Sequence, residues 1–154
     1  MSLNKKKYIA FLGGINVGGK HKVPMAELKT ELEKLDLHNI QTLLNSGNII
    51  FEAKDQDAKS LEKIVADHIE QAFGFAIPTI IRKSETILDL LNSNPFKDVT
   101  ITPDTRLYVS FLQEEVETNL QFPWSTSDNA FRILDKISSS ISLEVKCDLT
   151  SRLE

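Results

Sequence analysis

Residues 40–53 read IQTLLNSGNIIFEA. Two apolar runs flank Asn-Ser-Gly-Asn, and that tetrapeptide is hairpin chemistry, because Asn and Gly accept the positive φ of tight turns. The stretch predicts strands over 40–45 and 48–53 with the turn at Ser46-Gly47. What flanks the hairpin then decides the fold. Upstream, KYIAFLG (7–13) is a short aromatic and branched run ended by glycines, a strand. Pro24 suits the first turn of a helix, and Met25, Leu28, Leu32 and Leu35 follow at helical steps. Downstream, Leu61, Ile64, Val65, Ile69 and Ala72 mark a second amphipathic helix, stopped at Gly74. FAIPTIIR (75–82) is the next strand, and Pro78 inside it argues for an edge position.

The order is β-α-β-β-α-β, so the expected fold class is α+β, with a ferredoxin-like unit over 1–82. Right-handed crossovers give an antiparallel sheet with both helices on one face. Three connections then share one end of the sheet: the loop 13–23, the turn 45–48, and the approach to the last strand around Phe73-Gly74-Phe75. Residues 83–105 read as a connecting helix and linker, with Ser84 as a cap and Ile87, Leu88, Leu90 and Leu91 ahead of Pro95. RLYVSFL (106–112) predicts a strand and EEVETNLQ (114–121) a short helix, while AFRILD and ISLEVK predict two strands around a serine-rich turn. That is β-α-β-β again, a second, related but incomplete α/β unit over 106–154. A final helix and strand of the repeat would fall beyond Glu154.

The bulk numbers exclude several classes. A chain of 154 residues, 41% hydrophobic and 26% charged, is a globular domain or two small ones. No apolar run approaches the roughly 20 residues that span a bilayer, and no signal peptide is legible, so no membrane partner is expected. A single cysteine, Cys147, allows no intrachain disulfide, and the expected compartment is the cytoplasm. The net charge of −4 argues against a general nucleic-acid binder. His21, His38 and His68 are not at metal-ligand spacing, so neither a metal nor another cofactor is expected. His38 and His68 read as surface residues. Glu114, Glu115 and Glu117 read as first-turn helix acids.

The loop after the first strand, GGINVGGKHKVP (13–24), is the candidate site. Gly14, Gly19 and Lys20 fit G-x-x-x-x-G-K, the phosphate loop of nucleotide triphosphatases. The match fails at His21, where Ser or Thr would hold magnesium, and the helix starts too late, near Pro24. A simpler reading survives. Asn16, Gly18, Gly19, Lys20 and Lys22, with Asn45, Ser46 and Asn48 of the hairpin turn, line a site for an anionic small molecule such as a nucleotide or phosphate ester. The competing reading is that the glycines serve tight turns only.

The residues YIAFLGGINVGGKHKVPMAELKTELEKLDLHNIQTLLNSGNIIF resemble the start of the bacterial domain of unknown function 1697 family, through GINVGGK (14–20), KVPMAEL (22–28) and SGN (46–48). The likeness runs more loosely through FGFAIPTIIR (73–82), NPF (94–96) and RLYVSFL (106–112). It implies a bacterial protein of two ferredoxin-like units and carries no reaction with it. Gly13 stands where the family often has arginine, and the family's closing Thr-Arg-Asn-Trp-Asn motif does not occur.

Two other classes compete with a ligand-binding protein. An assembly module would use an exposed sheet face or an edge strand of the second unit, binding a partner or a second copy. An RNA-recognition domain shares the topology, but Tyr8 and Phe11 lie on opposite faces of the first strand and the Gly-aromatic signature is missing. No nucleophile or general base can be named, so no enzyme is assigned.

Overall fold

A computed structural model of the chain describes residues 4–43, 45, 47–114, 119, 121–127, 131–138 and 141–147. The fold is α+β. Among the described residues it holds three helices and two four-stranded antiparallel sheets, in two compact units, Met1–Asn92 and Ser93–Glu154.

The first unit runs β1 (Lys5–Leu12), α1 (Met25–Glu33), β2 (His38–Leu43), β3 (Asn48–Lys54), α2 (Ala58–Phe73), β4 (Thr79–Lys83) and α3 (Ser84–Asn92). Its sheet is ordered β2-β3-β1-β4, every neighbouring pair antiparallel. The two-residue period of the strands sets one buried face. Tyr8, Ala10 and Leu12 of β1 and Ile49, Phe51 and Ala53 of β3 are all buried, with Tyr8 opposite Phe51 and Ala10 opposite Ile49. Leu28 and Leu32 of α1 and Leu61, Val65 and Ile69 of α2 complete this core. Tyr8 stacks on Phe51 at 5.7 Å between ring centroids, and its hydroxyl donates to the Gln56 carbonyl and accepts from the Gln56 N–H, both at 3.0 Å. A fully buried phenol is thereby satisfied.

Asp57 caps α2, accepting from the Ser60 N–H at 2.9 Å, and Gly74 ends it at φ 80°. β4 starts at Thr79, so the strand expected over 75–82 is shorter at its start. Pro78 has no N–H for a ladder, and its carbonyl instead accepts from the Gly13 N–H at 2.8 Å. β4 is an edge strand, the position Pro78 suggests. α3 follows β4 without a break and packs on β1 and β4, which draws it into the first unit.

Both edges of this sheet are interrupted. On the β4 side the buried carboxylate of Glu62, from α2, accepts from the Ile81 N–H and from Arg82 Nη1, each at 2.9 Å. On the β2 side the register shifts between His38 and Gln41. There Asn39 takes φ 50° and its amide donates to Glu52 Oε2 at 2.9 Å. Bulges and inward-turned charges are devices that keep an edge from recruiting another strand.

In the second unit β5 (Thr105–Phe111), β6 (Trp124–Ser125), β7 (Phe131–Ser138) and β8 (Ile141–Cys147) form a sheet ordered β5-β8-β7-β6. The run β5-β8-β7 repeats the order and antiparallel sense of β1-β3-β2. The short helix expected over 114–121 falls largely outside the described residues, as do Glu115 and Glu117, while Glu114 stands in a bend.

Surface ion pairs tie the first unit together away from the glycine-rich loop. Lys6 bonds Glu85 at 2.8 Å and Lys83 bonds Asp55 at 2.7 Å. Between the helices, Glu31 is bonded by Lys34 at 2.7 Å and by His68 Nε2 at 3.0 Å. His68, expected as a surface residue, has a side chain only 25% exposed because it bridges α2 to α1. His38 does sit at the surface, 3.1 Å from Asp36.

The Lys34 hydrogen bond holds the Glu31 carboxyl below its ordinary value, the Lys83 bond does so for Asp55, and the Lys6 bond for Glu85. All three carboxyls release protons more readily folded than unfolded. Their contribution is therefore present above the ordinary carboxylate range and is lost as pH falls through the lower folded values. The urea midpoint is expected to fall steadily on acidification below about pH 5. In about 1 M salt the fall should be shallower, because exposed pairs are screened. A midpoint flat from pH 5 to 3 would contradict these pairings.

Candidate functional site

The loop after β1 is a small hairpin. The Asn16 N–H donates to the His21 carbonyl at 3.1 Å and the Lys20 N–H to the Val17 carbonyl at 3.2 Å. Between them Gly18 and Gly19 stand at φ 60° and 74°. Positive φ at both central residues is the signature of a primed hairpin turn, so the two glycines answer a backbone demand. The hairpin is braced by Asn16. Its amide nitrogen donates to the Val23 carbonyl at 3.0 Å and to the Asn45 carbonyl at 3.3 Å, and its Oδ1 accepts from the Val23 N–H at 2.8 Å. Both donors of Asn16 are spent within the protein.

The three connections predicted to meet do touch. Gly47 packs beneath the first loop, its carbonyl accepting from the Leu12 N–H at 3.0 Å. A Cβ on Gly47 would lie 2.9 Å from Ile15 Cδ1, and Ile15 is itself buried. On the other flank, the His21 ring stacks on Phe75 with centroids 4.6 Å apart. The loop is thus held by the β2–β3 turn on one side and by the segment before β4 on the other.

An open groove of about 380 Å³ lies between the hairpin and the β2–β3 turn, lined by Asn16, Gly19, Lys22, Val23, Pro24 and Asn45. Asn16, Gly19, Lys22 and Asn45 of the candidate residues therefore come together. Gly18 and Lys20 sit at the exposed hairpin and do not line it, and Asn48 opens β3 opposite Leu43 and Phe11. Ser46 lies outside the described residues. Val23 and Pro24, which the sequence reading did not place among the ligand residues, supply the apolar lining.

The groove opens at the start of α1. Pro24 occupies the cap position and contributes no side-chain hydrogen bond. The Leu28 N–H reaches the Pro24 carbonyl at 3.0 Å, while among the described residues the amides of Met25, Ala26 and Glu27 have no partner. Unpaired amides give a helix N-terminus positive potential, and Lys22, which has no ion-pair partner among the described residues, adds a full charge. Glu27 in the first turn opposes part of it. The helix begins well after Lys20, so the phosphate-loop cradle does not form, as the sequence indicates. No group of three His, Cys, Asp or Glu able to hold a metal exists among the described residues. No described helix is long and apolar enough to cross a membrane.

These features define an α+β protein with a braced glycine hairpin over the end of an antiparallel sheet. Residues 5–132 match the family described as protein of unknown function (DUF1697), and the chain belongs to that family. Its structure is similar to that of a conserved bacterial protein from Streptococcus pneumoniae, with a TM-score of 0.69 and 24% sequence identity. The match covers 96% of this chain and 81% of that one. At that identity the likeness concerns the fold. Comparison with curated proteins finds no match.

Proposed function

We propose that the first unit is a ferredoxin-like split βαβ domain whose glycine hairpin binds a small anionic ligand, a phosphate ester or nucleotide, in the groove beside Asn45. The strand order β2-β3-β1-β4 supports the fold reading. The ligand reading rests on one observation: Lys22, which has no ion-pair partner among the described residues, lines a groove together with Asn16, Gly19 and Asn45. Lys22 supplies charge, and Asn16 holds the hairpin in register rather than touching the ligand.

The test is a thermal-shift titration with inorganic phosphate, ribose 5-phosphate and adenosine monophosphate on the parent chain, Lys22→Ala and Lys20→Ala. A ligand at 100 times its Kd stabilises the native state by about 2.7 kcal/mol. The expected result is a rise in Tm for at least one compound, lost in Lys22→Ala and largely kept in Lys20→Ala. No rise with any of the three would return the hairpin to a structural turn.

A further inference from the structure

The groove beside the hairpin leaves few side chains free for a ligand. Both amide protons of Asn16 are bonded within the protein, and its Oδ1 already accepts from the Val23 N–H. The other two polar side chains of the lining, Lys22 and Asn45, are exposed and have no hydrogen bond or ion pair among the described residues. Lys22 is the one cation of the described lining, since Lys20 stands outside it. The rest of the lining is Gly19, Val23 and Pro24, so it offers no aromatic ring and no guanidinium. The His21 ring stacked on Phe75 belongs to the other flank of the hairpin and is not part of it.

We propose that the groove takes a hydroxylated phosphate monoester of the sugar-phosphate class rather than a nucleotide; this rests on the anion-binding reading of the same groove. A single ammonium balances one phosphate group, and further phosphates would lie there without a counter-charge. A carboxamide both donates and accepts, which matches a hydroxyl, whereas an ionised phosphate only accepts. Asn45 therefore reads a ligand hydroxyl while Lys22 holds the phosphate. A nucleobase gains affinity by stacking on an aromatic ring or an arginine, on the order of five- to a hundredfold per base, and this lining gives it neither surface. The groove volume of about 380 Å³ lies near the lower end of the roughly 300–1,000 Å³ usual for ligand sites, which suits a small ester.

The test is calorimetric titration of the full chain with inorganic phosphate, ribose 5-phosphate, adenosine monophosphate and magnesium-free adenosine triphosphate. Adenosine monophosphate is the sugar phosphate with a base added, so it is expected to bind at most about fivefold tighter than ribose 5-phosphate. The triphosphate is expected to bind no tighter than the monophosphate. Asn45→Ala keeps the main-chain carbonyl that braces Asn16, and it is expected to weaken ribose 5-phosphate about tenfold while leaving inorganic phosphate unchanged. Circular dichroism checks the fold of the variant. A larger gain from the base, a tighter triphosphate, or an equal loss of both ligands in Asn45→Ala would overturn the sugar-phosphate assignment and leave the anion site standing. If none of the four compounds binds, the anion site itself falls, and the assignment with it.

Discussion

Replacing Gly47 by alanine is expected to cost the first unit about 3 kcal/mol, combining left-handed backbone strain with steric overlap. Gly47 sits at φ 80°, where an L side chain is strained whatever the space around it. The space is also missing. A Cβ would lie 2.9 Å from Ile15 Cδ1 and 3.0 Å from both Leu12 Cβ and the Leu12 carbonyl oxygen. Ile15 has little room to yield because it is buried under the hairpin, and the Leu12 contacts belong to the central strand. The effect should be read by urea denaturation. It should also abolish any ligand-induced rise in Tm, since the same contact positions Asn45 beside Asn16. Gly14→Ala is the control. Its φ of 70° carries backbone strain, but its added Cβ meets nothing within 4 Å, so the loss should be nearer 1 kcal/mol. Equal losses at the two positions would refute the packing argument.

The second large effect is expected at Arg82→Met, at about 3 kcal/mol, the lower end of what breaking a buried ion pair costs. The Arg82 and Glu62 side chains are 12% and 7% exposed, and they meet at 2.9 Å under the β4 edge. Methionine keeps much of the apolar stem while leaving the Glu62 carboxylate with the Ile81 N–H and a Lys59 ammonium 3.5 Å away. Adding Glu62→Leu should recover part of the loss by removing the stranded charge. A double variant no better than Arg82→Met would mean that the carboxylate matters for the edge hydrogen bond rather than for charge.

What could be read from the residue pattern was whatever depends on local periodicity. Ile49, Phe51 and Ala53 alternate and lie in the core, Leu28 and Leu32 recur at a helical step and do the same, and Gly74 ends α2. The predicted meeting of the loops around Gly13, Gly47 and Phe75 needed only strand order, which is why it was accessible. Contacts between distant side chains were not. Glu62 reads as one more acid on a charged helix, and only the approach of β4 turns it inward. Asn16 reads as a free amide until Asn45, far along the chain, takes one of its protons. The choice between Lys20 and Lys22 depends on which way a six-residue hairpin faces, and alternation in a loop does not specify that. β2 begins at His38 rather than at residue 40 because the Asn39 irregularity lets the ladder continue past it.

The placement of β1 has a consequence for the order of events during synthesis. Of the four strands of this sheet the one made first, β1, is a central one, and both of its neighbours, β3 and β4, are made later. Its ladder is complete only when Lys83 arrives opposite Tyr8. Until then Tyr8, Ala10 and Leu12 have no finished sheet to enter. Such long-range closure slows folding relative to a helical chain of equal length. The nascent first unit therefore waits, with β1 paired on one side at most, for β4 to be made.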